Sequence, residues 1–185
     1  MAITDRLLPA FRFEVVLDLD QPAAGLEGPL CDAAFAECDG LEATMQAKTL
    51  EVGGVNDRQI HLIGPVTYGQ LTLKRGMTSN LQLWTWFGLG TRPGSVLTAH
   101  GQVTVWDADG TPALVFTLTG CLPVRMRAPG LSAKDGLIAV EELGLVYERL
   151  DLARPGDAVT ATPAGGAGGA LPGVQTGISI AGGLF

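Results

Sequence analysis

The feature that most limits the fold is a single short helical pattern in a chain that otherwise alternates with the period of β-strands. Residues 71–76 (LTLKRG) alternate between apolar and polar side chains, which predicts a half-buried strand. Ser79 followed by Gln82 fits a capping box and predicts a helix start. The helix then presents a wide apolar arc for packing on the sheets, formed by Leu83, Trp84, Trp86 and Phe87.

The rest of the chain up to residue 152 has the pattern of strands joined by turns. Residues 11–20 (FRFEVVLDLD) alternate cleanly, as expected for a strand with one face on a core. Two alternating runs, 98–106 and 111–119, flank Asp107–Gly110 and predict a β-hairpin. Residues 138–152 predict a last strand with a β-bulge at Gly144. These patterns together predict a mainly β fold, a β-sandwich or distorted barrel with one short α-helix.

Residues 41–63 predict a projecting hairpin. One face of its first strand carries the polar residues Glu42, Thr44, Gln46 and Lys48, and the other face is small and only moderately apolar. The glycine-rich tip comprises Gly53, Gly54, Val55, Asn56, Asp57 and Arg58, and an extended run returns from it. One subunit cannot bury such an arm, so we expect it to contact a partner, of which another copy of the chain is the simplest.

Composition separates the chain into two parts. Residues 1–152 form one predicted β domain, whereas residues 153–185 are rich in Gly, Ala and Pro and predict a flexible tail. The net charge of −7 disfavours direct nucleic-acid binding, because phosphate binding needs a basic surface. No apolar run is long enough to span a bilayer, so we expect no membrane anchoring.

No constellation in the sequence predicts catalysis, a cofactor or a metal. The cysteines Cys31, Cys38 and Cys121 lack metal-binding spacing, and we expect them to be reduced thiols. Glu141 and Glu142 are adjacent in a predicted strand and should point to opposite faces, so they cannot act as an acid/base pair. We expect no enzyme activity, and we predict no catalytic, cofactor-binding or metal site.

The order of the segments resembles the tail tube (inner tube) proteins of contractile phages and of phage-tail-like contractile injection systems. The matching pieces are FRFEVVL, FAECDGLEATMQAKTLEVGG, LTLKRGMT with LQLWTWF, GQVTVWDADGTPALVFTLTG and IAVEELGLVYERL. Together they cover nearly all of residues 11–150. The most specific piece is the LTLKRG strand that leads into the helix with the WTWF end.

This resemblance implies hexameric rings whose sheets join into a continuous inner β-barrel, stacked into a rigid hollow tube. A contractile sheath would surround the tube and expel it, and baseplate and spike proteins would meet its end. The polar strand Glu42, Thr44, Gln46 and Lys48 would face the lumen, where effector cargo could travel. Assembly is expected in the cytoplasm, as part of a phage-tail-like particle that can be released from the cell.

Two alternatives remain open from the sequence. The long segment 153–185 would suit a specialised first-layer tube ring or baseplate adaptor. A function of another class is a β-sandwich module that binds carbohydrate or protein, which would need an exposed aromatic platform built from Trp84, Trp86 or Trp106.

Overall fold

The computed structural model describes residues 7–26, 28–33, 35–50, 58–134, 136 and 138–157 of the 185-residue chain. The elements follow in the order β1 Phe13–Leu19, β2 Cys31–Ala33, β3 Glu37–Asp39, β4 Ala43–Leu50, β5 Ile60–Tyr68, β6 Leu71–Gly76, α1 Gln82–Gly90, β7 Ala99–Trp106, β8 Pro112–Arg127, β9 Val140–Val146 and β10 Arg149–Ala153. The prediction of a mainly β fold with one helix is confirmed.

The strands form two antiparallel layers that share the 16-residue strand β8. The first half of β8 lies between β7 and β10, in a layer that continues through β1 to β2. The second half pairs with β9, in a layer that continues through β6 to β3. Between the halves, Gly120 has a φ of +66°, a left-handed conformation that side chains with a Cβ rarely adopt. This glycine lets one strand turn from the first layer into the second.

The core lies between the two layers and under helix α1. Strand β6 alternates between buried and half-buried residues along its whole length, as its sequence predicts. The fully buried side chains of the core include Leu17, Leu71, Leu73, Leu83, Trp86, Leu118 and Leu145. Each such aliphatic side chain contributes about 1.5–3 kcal/mol by leaving water, so this cluster supplies most of the stability of the domain.

The N-cap of helix α1 is two residues after the predicted one. The side chain of Asn80 accepts a hydrogen bond from the backbone N–H of Gln82 at 2.9 Å, whereas Leu81 occupies the N-cap position without a side-chain cap bond. The predicted capping box of Ser79 and Gln82 is therefore wrong. Asparagine accepts an N–H as well as serine does, and Asn80 reaches this one because it lies only two residues before Gln82.

A buried ion pair joins the helix to the second layer. The Nε of Arg75 on β6 donates to Oε1 of Glu141 on β9 at 2.5 Å, and both side chains are 4% exposed. The other carboxylate oxygen, Oε2, accepts a hydrogen bond from the indole Nε1 of Trp84 on α1 at 2.8 Å. The Nη2 of Arg75 donates to the carbonyl oxygen of Asn80 at 3.3 Å. The Nη1 of Arg75 also donates to Sγ of Cys31 on β2 at 3.1 Å. The buried pair thus holds the helix start on the second layer and also contacts the first layer.

The predicted last strand, 138–152, is interrupted, and the bulge lies at a different residue from the predicted one. Strands β9 and β10 run consecutively along β8 and are separated by Tyr147 and Glu148. The extra residue of the bulge is Val124 on β8, because Pro123 pairs with Leu145 and Arg125 pairs with Gly144. Gly144 lies opposite the bulge, where an added Cβ would lie 3.0 Å from the Cβ of Arg125.

Replacing Glu141 by Ala should destabilise the subunit by about 3–5 kcal/mol, because the guanidinium of Arg75 would stay buried without its counter-charge. Urea unfolding of the isolated subunit, followed by circular dichroism, measures this loss. The matched control is Glu142→Ala on the adjacent residue, whose ion pair with Arg125 at 3.5 Å is much more exposed. We expect about 1 kcal/mol or less for the control, and equal losses for both variants would contradict the role of the buried pair.

Candidate functional site

Strands β4 and β5 form a hairpin that pairs only with itself among the described residues. Residues 43–45 pair with 68–66, and residues 47–50 pair with 63–60, so the partner strand has one extra residue at Gly64 and Pro65. Gly64 permits this bulge, since a Cβ there would lie 2.2 Å from the carbonyl oxygen of Gln46. Every residue of β4 is exposed, and β5 is exposed over most of its length. The hairpin is thus an arm outside the core.

The arm continues the ribbon formed by β3 and β6. Both pairs have the same register, because Asp39 pairs with Thr72 and Ala43 pairs with Tyr68. The ribbon bends between the two pairs at Gly40, which has a φ of +98° and whose added Cβ would lie 2.0 Å from the carbonyl oxygen of Gln70. The second layer therefore divides at this bend, and the arm leaves it there.

The hydroxyl of Tyr147 holds the root of the arm. It accepts a hydrogen bond from the backbone N–H of Glu42 at 3.1 Å, and its own proton can be donated to the carbonyl oxygen of Gly40 at 2.9 Å or of Glu42 at 3.1 Å. The ring of Tyr147 also contacts the ring of Tyr68, with centroids 5.6 Å apart. Burial raises the pKa of the Tyr147 hydroxyl, so it stays protonated and able to donate at neutral pH.

The two faces of the arm differ in polarity. Residues that pair directly share a face, so Thr44, Gln46 and Lys48 lie on one face with Thr67. Glu42 belongs to the same side, since its Oε1 accepts a hydrogen bond from the Thr44 hydroxyl at 3.1 Å. The distal end of this face also carries Leu50, Ile60 and Leu62.

The opposite face of the arm, which we call the apolar arm face, comprises Ala43, Met45, Ala47, Thr49, His61, Ile63, Val66 and Tyr68. Three large aliphatic side chains on it are open to solvent, because Met45 is 54%, Ile63 84% and Val66 41% exposed. Tyr68, at the root of this face, contacts Tyr147, so the apolar arm face is on the side of the core. An isolated two-stranded hairpin is at best marginally stable in water, and an apolar face on it favours a partner surface.

The remaining predicted site residues are placed as follows. The tip residues Gly53–Asp57 lie outside the described residues, and Arg58 is exposed beside β5. On α1, Leu83 and Trp86 are fully buried, whereas Trp84 and Phe87 are half-buried. Tyr147 was missed by the sequence reasoning, because its partners are backbone groups more than 100 positions away in the chain. No local pattern signals such a contact.

The described residues offer little for chemistry. They include no group of three or more His, Cys, Asp and Glu side chains placed to hold a metal ion. None of the three cysteines is in a disulfide. Burial, with a smaller effect of Asp39 and Asp20 respectively, raises the pKa of Cys38 to about 11 and that of Cys121 to about 12, which makes both thiols poor nucleophiles. The same part of the chain has no helix with the length and hydropathy that crossing a membrane requires.

Comparison with known families decides the identity of the fold. The sequence profile of the T4-like virus tail tube protein gp19 family matches residues 9–151. The chain belongs to this family. The resemblance to tail tube proteins is therefore confirmed, and the tail tube protein has a structural role in a tube.

Solved structures agree with this assignment. A chain in the baseplate of the anti-feeding prophage (AFP) is 25% identical with a TM-score of 0.69, covering 81% of the tail tube protein and 97% of the other chain. A chain in the sheath–tube complex of the extracellular contractile injection system PVC is 18% identical with a TM-score of 0.67, and the match covers 82% of this chain and 94% of the other. A chain of the AFP tube-terminating cap is 19% identical with a TM-score of 0.66, covering 83% and 99%. A search of curated proteins found no match.

Replacing Tyr147 by Phe should loosen the arm while leaving the two layers intact. The variant keeps the ring contact with Tyr68 but leaves the N–H of Glu42 without its acceptor, at a cost of about 1–3 kcal/mol. Hydrogen exchange measured by mass spectrometry should therefore become faster in residues 42–68 than in β7 and β8. Tyr68→Phe is the matched control, since the Tyr68 hydroxyl makes no hydrogen bond to the described part of the chain. Unchanged exchange in residues 42–68 of the Tyr147 variant would show that the hydroxyl does not hold the arm.

Proposed function

We propose that six copies of this tail tube protein join through the arm into a ring with a continuous inner β-barrel, and that rings stack into a hollow tube. The observation that carries this proposal is the apolar arm face, which lies outside the core of its own subunit and leaves Met45, Ile63 and Val66 exposed. Membership of the tail tube family supports a second copy as the partner.

The energetic argument favours assembly through this face. Full burial of one Ile, Val or Met side chain stabilises by about 1.5–3 kcal/mol, so three of them offset a substantial part of the cost of association. The arm and β10 also leave strand edges that have no partner in the described part of the subunit. Pairing these edges between copies satisfies their backbone groups and removes a risk of aggregation.

The face that carries Glu42, Thr44, Gln46 and Lys48, which we call the polar arm face, borders the channel in this arrangement. With the apolar arm face covered by a neighbour, these four side chains stay in water, as do Leu50, Ile60 and Leu62 at the distal end. One acidic, one basic and two neutral side chains give a wall with little net charge, which allows cargo to pass without strong binding. The tip, Gly53–Arg58, would contact the next subunit or the adjacent ring.

The proposed partners outside the tube are a contractile sheath, a baseplate and its spike. The similar chains come from a baseplate, a sheath–tube complex and a tube-terminating cap, and this range supports the proposal. The energy for expulsion comes from the sheath in this scheme, so the subunit needs no cofactor and no catalytic activity. Assembly takes place in the cytoplasm, and the tube leaves the cell as part of a phage-tail-like particle.

A specialised first ring next to the baseplate is the second candidate within the same class. It is favoured by the chain beyond residue 151, which the family profile does not match. The carbohydrate-binding alternative has less support, because two of its three candidate tryptophans are engaged within the subunit. The indoles of Trp84 and Trp86 donate to Glu141 and to the carbonyl oxygen of Leu97. Trp106, the third, is half-buried on β7, so no exposed aromatic platform is formed by these side chains.

Cryo-electron microscopy of the concentrated protein, alone and with a baseplate fraction, tests the proposed assembly. We expect rings or tubes with sixfold symmetry and an open channel, and the reconstruction should show the polar arm face toward the channel. If the protein assembles only as a single layer on the baseplate, this result would favour the first-ring candidate. A monomer under all these conditions would overturn the proposed function.

Replacing Ile63 by Asp should prevent ring formation, because it places a charge in the proposed apolar interface. Stability of the isolated subunit should change by only about 0.5 kcal/mol, since Ile63 is 84% exposed there. The matched control is Gln46→Asp on the polar arm face, which should assemble like the unaltered protein. Sedimentation velocity across a concentration series measures both variants. Normal assembly of the Ile63 variant would exclude the apolar arm face as the interface.

A further inference from the structure

A groove lies on the outward face of the first layer, where the described chain ends. It has a volume of about 420 Å³, which is within the range of about 300–1,000 Å³ that is typical of ligand-binding clefts. Thr104 and Trp106 of β7 and Val115 and Thr117 of β8 form its floor, and Arg154 and Pro155 form one wall. Trp106 and Val115 are half-buried, so the groove combines an apolar centre with hydroxyl groups along it.

The groove depends on a part of the chain that the family profile does not match. The profile ends at residue 151, whereas the wall is built by residues 153–157. These residues follow β10, which is held on β8 by the pairing of Leu152 with Phe116 and of Ala153 with Val115. The wall and the segment that follows it therefore belong to the same extension of the chain.

The composition of residues 158–185 suits this groove. The segment contains no charged residue, and its first half is mainly Gly and Ala. Its last part carries Ile178, Ile180, Leu184 and Phe185, separated by small residues. An uncharged sequence with such small spacer residues can place aliphatic side chains beside Trp106, while Thr104 and Thr117 offer hydroxyls to its backbone.

An intramolecular contact does not depend on protein concentration. Residues 158–177 are rich in Gly and Ala, and a flexible linker of about 20 residues has a root-mean-square reach of about 25 Å. Its attachment point, Asp157, itself lines the groove. A short flexible linker gives an effective concentration in the millimolar range, so even a weak apolar contact is populated.

We propose that residues 178–185 bind in the Trp106 groove of their own chain. The contact is intramolecular and does not rest on the proposed ring. It gives the extension a defined role, because it would fill an apolar groove on a face that also carries polar side chains such as Glu14 and Asp18.

Paramagnetic relaxation in the full-length subunit tests the contact. A spin label is attached to a Ser179→Cys variant, and the indole N–H signal of Trp106 is observed by NMR and assigned with a Trp106→Phe variant. Labelling should be selective, because the native thiols are buried or half-buried and the pKa values of Cys38 and Cys121 are raised to about 11 and 12. We expect a several-fold loss of the Trp106 signal relative to the reduced label, and much smaller losses for the indoles of Trp84 and Trp86.

Two controls make the result specific. Val115→Lys, on the groove floor, should restore the Trp106 signal, whereas Val124→Lys, on the same strand but away from the groove, should not. A mixture of isotope-labelled unmodified protein and spin-labelled unlabelled protein should show no loss if the contact is intramolecular. Equal Trp106 signals with the active and reduced label would overturn the proposal, as would full loss in the mixture or persistence of the loss in Val115→Lys.

Discussion

The hydroxyl of Tyr147 acts at the point where the second layer divides, and the rest of the architecture depends on that division. It contacts backbone groups of Gly40 and Glu42, so the arm leaves the subunit in one direction. A loosely attached arm would lose conformational entropy each time that it docked on a neighbour. Fixing its root in the subunit reduces this cost before assembly begins, which is the advantage of a preorganised interface.

The buried pair of Arg75 and Glu141 gives that root a rigid support. Arg75 lies on β6, which follows the arm directly in sequence, and Glu141 lies on β9, which leads to Tyr147. Trp84 joins the same carboxylate, so the single helix is coupled to both strands that hold the arm. A buried ion pair contributes little net stability compared with apolar packing, but it accepts only one geometry. A fixed geometry suits the proposed ring, in which the projecting arm would meet a neighbour at a fixed angle.

Patterns with a short period predicted the fold well, and contacts between distant residues were missed. The alternation in β6, the Asp107–Gly110 turn and the single helix all follow from local preferences, and the structure has each of them. The bulge expected at Gly144 lies instead at Val124, because the sequence of one strand cannot reveal which partner carries the extra residue. At the helix start, Asn80 and not Ser79 accepts the N–H of Gln82, and both side chains are of types that the sequence pattern allows there.

The sequence by itself determined the tail tube family, the mainly β composition and the existence of an arm, because these depend on periodicity, turn residues and segment order. Only the tertiary structure decided which residues of the two arm strands share a face, where the root of the arm is held and that the end of the described chain lines a groove. These features arise from the pairing register and from contacts such as that of Tyr147 with residues more than 100 positions earlier. Register and long-range contacts are set by packing of the whole chain, and no short stretch of sequence records them.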